Sequence, residues 1–283
     1  MMSRRLAIVA MALLAASAWA QQPRWRDLPP TPTLPKAERS GYAPVNGIKL
    51  WYAVFGRGEP VVFLHGGLAN ANYWGLQVPA VAQRYQVIVM DSRGHGRSTR
   101  DNRPYGYDLM ADDVVGLLDY LGIRQAAVVG WSDGGILGLD LAIRHPDRVS
   151  KVFAFAANTN PSGVVPGVEN NPTFATFIAR AGQEYATLSA TPNEYRAFVA
   201  AISRMWATQP NWTTAQLKAI RTPVVVADGD HDEAIKRPHT ETIAASIPGA
   251  GLLILPNTSH FSFLQDPEQF TWNVLHFLEL PVS

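Results

Sequence analysis

Three segments of this chain carry residue types that together could perform nucleophilic hydrolysis. Residues 130–134 read Gly-Trp-Ser-Asp-Gly, residues 228–232 read Asp-Gly-Asp-His-Asp, and residues 256–260 form a segment that ends in a histidine. A serine hydroxyl is a weak nucleophile until a base takes its proton, and an acid must orient that base. The chain order serine, acid, histidine is one of the orders in which such triads occur.

The serine motif is informative because of the sequence around it. Residues 126–130 form a short apolar run that predicts a strand, and the glycines at 134 and 135 lead into a predicted helix. A sharp strand-to-helix turn leaves no room for side chains beside the serine, so glycines must flank it. We therefore predict that Ser132 is the nucleophile; the alternative is a serine that only caps the helix.

The acid and the base are predicted from the strands that precede them. The predicted strand at 224–227 runs into the three aspartates, and the predicted strand at 252–255 runs into the segment that ends at His260. We predict His260 as the general base and Asp232 as the acid, because Asp232 lies past the glycine turn. Asp230 is the alternative acid, and His231 competes as the base only through its proximity to Asp232.

An oxyanion hole needs backbone N–H donors beside the nucleophile. The sequence His-Gly-Gly at residues 65–67 directly follows a predicted strand, and a glycine there lets the backbone approach closely. We predict the N–H groups of Gly67 and Asp133 as the two donors. His65 is predicted to be a buried structural residue at the strand end.

Short apolar runs alternate with amphipathic stretches along most of the chain. Runs without polar alternation predict parallel strands that are buried on both faces, and the amphipathic stretches predict helices. This alternation predicts a doubly wound α/β sheet. The runs are 61–64, 87–90, 126–129, 152–155, 224–227 and 252–255, and the helical stretches are 108–121, 135–145, 239–247 and 267–278.

The alternation stops between residues 158 and 215, which predicts a helical insertion. The insertion follows a strand end, where open α/β sheets place their ligands, so we predict a lid over the site. Trp131 and Trp206 are the predicted substrate-binding residues. The alternative is that the aromatic side chains of the insertion pack only its own core.

The N-terminal region predicts export. Residues 1–20 combine two arginines, an apolar run at 6–16 and the sequence Ala-Trp-Ala, which together predict a signal peptide that is cleaved near Ala20. The apolar run is too short to span a membrane. Residues 21–44 are rich in proline and predict an extended leader, so the predicted core comprises 45–157 and 216–283. We expect a periplasmic or secreted protein.

Composition excludes several classes of partner and chemistry. The 24 Lys and Arg residues nearly balance the 23 Asp and Glu residues, so no charge excess favours nucleic acid. The absence of cysteine excludes disulfides and thiolate chemistry, and no metal-ligand spacing is present. We therefore expect a small-molecule substrate, no metal, no cofactor and no stable membrane span in the mature form.

With these motifs, residues 45–283 resemble the α/β-hydrolase superfamily. Residues 91–98, Asp-Ser-Arg-Gly-His-Gly-Arg-Ser, are similar to a structural turn after that family's fourth strand. The resemblance implies a mostly parallel, eight-stranded sheet with a lid inserted after strand 6. The Gly-Trp-Ser-Asp-Gly-Gly segment is similar to that of amino-acid-ester hydrolases of the valacyclovir hydrolase type, which implies that Asp133 could hold a substrate amine; a helix-terminal acid is the alternative role.

The predicted function is hydrolysis of a carboxylic ester of a small, partly apolar substrate through an acyl-enzyme. The same residues could instead cleave a lactone, an amide, a thioester or a carbon–carbon bond beta to a carbonyl, or could form peracids, because the fold does not fix the reaction. A hypothesis of another class is a catalytically inert binding protein on a hydrolase scaffold. Such a protein usually lacks one of the residues that are all present here.

Overall fold

The computed structural model describes residues 23–281. The predicted signal peptide at residues 1–20 lies outside this range. Between residues 23 and 281, no helix has both the length and the apolar character that crossing a membrane requires. One sheet dominates the described chain, and its strands are β1 (Arg39–Val45), β2 (Ile48–Phe55), β3 (Pro60–Leu64), β4 (Gln86–Met90), β5 (Ala126–Trp131), β6 (Val149–Phe155), β7 (Val224–Gly229) and β8 (Gly251–Leu255).

The eight strands lie in the order β1-β2-β4-β3-β5-β6-β7-β8. Strand β2 pairs antiparallel with β1 and β4, whereas all pairs from β4 to β8 are parallel. The predicted eight-stranded, mostly parallel sheet is therefore confirmed. The strand β5, which precedes the serine, is buried at every residue, with β3 and β6 as its neighbours.

Helices flank the sheet. Those of the described chain are α1 (Val78–Val81), α2 (Tyr107–Leu121), α3 (Asp133–Arg144), α4 (Pro172–Leu188), α5 (Tyr195–Trp206), α6 (Thr214–Ala219), α7 (Arg237–Ser246), α8 (Ser262–Gln265) and α9 (Pro267–Glu279). Helix α3 packs on β5, β6 and α2, whereas α9 packs on β6, α1 and α8. These two groups of helices make the fold doubly wound, and the segment between β6 and β7 contributes α4, α5 and α6.

Two expectations about the edges of the sheet are wrong. The proline-rich leader was predicted to extend to residue 44, but β1 begins at Arg39. Pro44 is tolerated there because β1 is an edge strand, where one side of the backbone needs no donor. At the other edge, β8 is not buried on both faces, and Leu252 is 49% exposed. Strand β8 lies at the edge of the sheet, and among the described helices α7 packs on it.

The residues before β1 run along the surface and contact both the core and the segment between β6 and β7. From α4, the guanidinium of Arg180 donates hydrogen bonds to the carbonyl oxygens of Pro29 (2.5 Å) and Leu28 (2.9 Å). From the core, Gln265 Nε2 donates to the carbonyl oxygen of Asp27 at 2.7 Å. The leader therefore ties helix α4 to helix α8.

We predict that Arg180→Ala loosens this attachment. The variant loses two hydrogen bonds to leader carbonyls, so its free energy of unfolding should fall by about 1 kcal/mol. Faster amide exchange in residues 23–38 should accompany the loss. The control is Arg196→Ala, because Arg196 is an exposed residue of α5. Equal stability and equal exchange in the two variants would show that the leader does not depend on Arg180.

Candidate active site

Ser132 lies at a sharp turn between β5 and α3. Its backbone has φ 55° and ψ −118°, a left-handed conformation that L-residues rarely adopt. A Cβ atom at Gly130 would collide with the carbonyl oxygen of Gly134, and one at Gly134 would collide with the carbonyl of Leu64. The two glycines are therefore required by close backbone approach, and the strained turn is typical of a functional serine.

His260 and Asp232 are joined by a buried hydrogen bond. His260 Nδ1 lies 2.8 Å from Asp232 Oδ2, and each side chain is only 2% exposed. Asp230 does not take this place. Its carboxylate accepts a hydrogen bond from Thr258 N at 3.2 Å and lies 2.8 Å from the ring of His231. The structure thus brings Asp232 to His260 and leaves Asp230 and His231 at the surface.

Backbone groups fix the carboxylate of Asp232. Its Oδ1 atom accepts hydrogen bonds from the N–H groups of Ala234 at 2.6 Å and Ile235 at 2.7 Å. Burial nevertheless raises the pKa of Asp232 to about 7, and contact with Asp228 acts against this rise. Burial also lowers the pKa of His260, although Glu233 partly offsets the effect. Above about pH 7, these shifts favour an uncharged imidazole beside a carboxylate.

Hydrogen bonds to the side chains of Glu233 and Gln265 hold the segment that contains His260. Glu233 Oε2 accepts a hydrogen bond from the backbone N–H of His260 at 3.1 Å. Ser259 N donates to Gln265 Oε1 at 2.7 Å, so the glutamine that holds the leader also holds this segment. Ser132 and His260 line the same cavity. Within residues 23–281 no hydrogen bond joins Ser132 Oγ to the imidazole, and such bonds are often long before substrate binds.

The two predicted oxyanion donors belong to residues beside Ser132 in the cavity. In the part of the chain that the structure describes, neither the N–H of Gly67 nor that of Asp133 has a hydrogen-bond acceptor, and both residues line the cavity. His65 lies behind them and is buried. Its Nε2 accepts the N–H of Ser92 at 2.9 Å, and its Nδ1 lies 2.7 Å from Gly66 O. This pattern requires a neutral imidazole with the proton on Nδ1.

The turn at residues 91–98 supports the loop that contains Gly67. Asp91 Oδ1 accepts a hydrogen bond from the N–H of Ala71 at 2.7 Å, and Asp91 Oδ2 accepts one from the N–H of Arg97 at 2.8 Å. The guanidinium of Arg97 adds an ion pair with the same carboxylate at 2.9 Å. This side-chain network connects the turn to the chain that follows the His-Gly-Gly segment.

The side chain of Asp133 is held by two neutral donors. Its Oδ1 accepts a hydrogen bond from Tyr107 Oη at 2.8 Å, and Trp206 Nε1 lies 3.0 Å from both carboxylate oxygens. A Cβ atom at Gly67 would collide with the Trp206 ring, so the indole lies against the predicted oxyanion loop. Burial raises the pKa of Asp133 to about 6, while the bonds from Trp206 and Tyr107 oppose the rise.

The cavity beside Ser132 has a volume of about 420 Å³, which falls within the usual range for small-molecule sites. Most of its surface is apolar and comes from the segment after β6, including Val164, Phe174 and Phe177. Trp131 and Trp206, the predicted substrate-binding residues, both line it. Trp131 is nevertheless almost fully buried, and its ring packs 4.6 Å from that of Phe263, so it also belongs to the core.

Several residues of the site were not predicted from the sequence. Tyr107 donates to Asp133, Glu233 holds the backbone of His260, and Asp228 contacts the carboxyl of Asp232. Asp228 is one of the three aspartates in residues 228–232, but no feature of the sequence indicates that two of them are in contact. Phe174 belongs to the aromatic residues of the predicted insertion, and only its position in space distinguishes it from the others.

Comparison with known proteins agrees with this architecture. The chain matches the alpha/beta hydrolase family model over residues 61–271. A relative from Caulobacter segnis, provisionally named carbamate hydrolase RutD, is 30% identical over 251 residues, which are 78% of this chain and 92% of the relative.

Two solved structures extend the comparison to three dimensions. Est816, described as an N-acyl homoserine lactone degrading enzyme, is 27% identical with a TM-score of 0.73, and the match covers 84% of this chain and 100% of the other. The enol-lactonase from Burkholderia xenovorans is 26% identical with a TM-score of 0.68 and the same coverage. The fold, the family match and these hydrolytic relatives together show that this chain is a hydrolase that belongs to the alpha/beta hydrolase family.

Proposed function

We propose that this hydrolase cleaves a carboxylic ester of a small, partly apolar substrate through an acyl-enzyme on Ser132. The observation that carries the proposal is the buried hydrogen bond from His260 to Asp232, at a cavity that also contains the strained Ser132 turn. These groups supply a nucleophile, a base and an orienting acid at the end of one sheet. The apolar lining of the cavity supports an apolar acyl or alcohol group.

In the proposed reaction, Ser132 Oγ attacks the ester carbonyl carbon while His260 Nε2 takes the hydroxyl proton. Asp232 holds the proton on Nδ1 and stabilises the imidazolium. The oxyanion accepts hydrogen bonds from the N–H groups of Gly67 and Asp133. The imidazolium then protonates the leaving alcohol, and water hydrolyses the acyl-serine by the same steps, releasing the carboxylic acid and restoring the hydroxyl.

A lactone is the second candidate substrate. The two solved relatives named above act on lactones according to their descriptions. Lactone opening uses the same nucleophile and the same oxyanion donors, and differs only in that the leaving alcohol stays tethered to the acyl group. Parallel assays on linear esters and lactones of equal carbon number separate the candidates, because a lactonase favours the ring in kcat/KM.

We also propose that the segment between β6 and β7 acts as a lid. Helix α4 supplies Phe174 and Phe177 to the cavity, and Trp206, at the end of α5, donates its N–H to Asp133. This bond connects the segment to the first residue of helix α3. A substrate that enters the cavity must therefore pass or displace side chains of α4 and α5.

Replacing Ser132 by alanine should abolish hydrolysis of a short p-nitrophenyl ester without unfolding the protein. We expect kcat to fall by at least about 10³-fold, because the alanine has no nucleophile. The control is Ser246→Ala, since Ser246 is a half-buried residue of α7 that does not line the cavity. Substantial activity in Ser132→Ala would reject the acyl-enzyme at this residue.

An aminoacyl ester and its deaminated analogue should be hydrolysed with kcat/KM values within about threefold of each other. Both oxygens of Asp133 already accept hydrogen bonds from Trp206, so an amine gains little by approaching them. If Asp133 instead held the amine, the deaminated ester would lose a charge-assisted hydrogen bond and react about 10- to 100-fold more slowly. Asp133→Asn would then remove the preference.

We expect the rate to depend on the protonation of His260 and Asp232. Catalysis needs the pair of His260 and Asp232 without an added proton, and burial raises the pKa of Asp232 to about 7. Because the two groups are hydrogen-bonded, the titration belongs to the pair. We expect kcat/KM to fall as pH decreases through about 7. A profile that stays flat down to about pH 5 would contradict this assignment.

A further inference from the structure

A second buried carboxyl lies behind the one that holds the histidine. Asp228 is a residue of β7 with no exposed surface, and its carboxyl contacts that of Asp232. Among the described residues, no lysine or arginine forms an ion pair with either group; Lys236 donates to the carbonyl of Ser162 and Arg237 to the carbonyl of Gly229 instead. Two adjacent carboxylates that share a buried site cannot both be ionised at neutral pH.

The hydrogen-bond donors decide which carboxyl keeps the proton. Asp232 accepts two backbone N–H bonds and faces the Nδ1–H of His260. Within residues 23–281, Asp228 accepts only the N–H of Gly229 at 2.9 Å and the hydroxyl of Thr240 at 2.7 Å. Donors stabilise the anion, so the charge resides on Asp232.

We propose that Asp228 is a positioning residue that stays protonated and donates its O–H to the carboxylate of Asp232. This inference rests on the proposed function of His260 and Asp232. The hydrogen bond fixes the carboxylate at the distance at which it holds His260 Nδ1. It also supplies a fourth donor to an anion that no arginine or lysine neutralises. Burial raises the pKa of Asp228 well above its ordinary value, in agreement with this assignment.

Other charged groups face the same site, so the variants that are compared must leave these groups unchanged. Glu233 accepts the backbone N–H of His260, and Asp133 lines the same cavity as His260; burial lowers the pKa of His260, and both carboxylates oppose this effect. Asp230 pairs with His231 at the surface. Because none of these groups changes when only residue 228 is substituted, the shift of the pH profile reports the protonation of Asp228 itself.

The test compares Asp228→Asn with Asp228→Ala. Asparagine keeps the shape, the neutral charge and a donor, so kcat/KM should change by less than about threefold and the acidic limb of its pH profile should stay in place. Alanine removes a hydrogen bond to a charged group, so kcat/KM should fall about 10- to 100-fold with little change in KM. The acidic limb should move to higher pH, since the anion of Asp232 loses a donor.

Asp230→Asn is the matched control, because it removes a carboxylate of the same segment that does not touch His260. We expect its acidic limb to coincide with that of the parent protein. If Asp228→Asn moves the limb down by about one pH unit, a negative charge has been removed and Asp228 was ionised, which overturns the proposal. If alanine and asparagine behave alike, the donor has no role, which also overturns it.

The arrangement can also be tested without turnover. In the Ser132→Ala background, the imidazole of His260 can be titrated by NMR, and Asp228→Asn should leave its pKa in place while Asp228→Ala raises it. This measurement of the His260 pKa does not require Ser132 to be the nucleophile. Failure of the carboxyl pair and failure of the proposed reaction are therefore distinguishable. Thermal unfolding of each variant separates misfolding from the local effect.

Discussion

The hydrogen bond between His260 and Asp232 depends on how the ends of β7 and β8 are held together. Asp230 N donates to Leu255 O at 3.0 Å and His231 N donates to Thr258 O at 3.0 Å, so the two segments continue the pairing of the strands beyond the sheet. Asp230, the rival acid, accepts a hydrogen bond from Thr258 N and adds to this attachment. The backbone hydrogen bonds between the two segments thus set the distance between Asp232 and His260.

Strands in the middle of the sheet also contribute residues to the site. Parallel strands place their carboxyl ends at one edge, and β3, β5, β7 and β8 each contribute a residue or loop to the site from that edge. The burial of carboxyl groups then has to be compensated, because Asp133, Asp228 and Asp232 all lose contact with water. Backbone N–H groups, an indole N–H and hydroxyls replace that water around the three carboxyls. The site therefore stabilises its anions mainly with neutral dipoles.

The sequence was sufficient to predict the strands that carry the site, because apolar runs and the glycines around Ser132 report local backbone requirements. The sequence was insufficient to predict contacts that depend on the distance between separate segments of the chain. Asp230 and Asp232 have the same side chain, and only the path of the chain after Gly229 determines which reaches His260. The exposure of Leu252 and the contact between Asp228 and Asp232 likewise depend on strand order and packing, which composition and spacing do not encode.

Gln265 joins two parts of the chain that are far apart in sequence. One end of its amide binds the N–H of Ser259, next to His260, and the other binds the carbonyl of Asp27 in the leader. A shortened protein that begins at β1 would contain every residue of the site, yet this amide would lose its hydrogen bond to Asp27 and keep only those to Ser259. The residues before the sheet are therefore an integral part of the folded enzyme, and trimming them to aid crystallisation or expression would alter the support of its histidine.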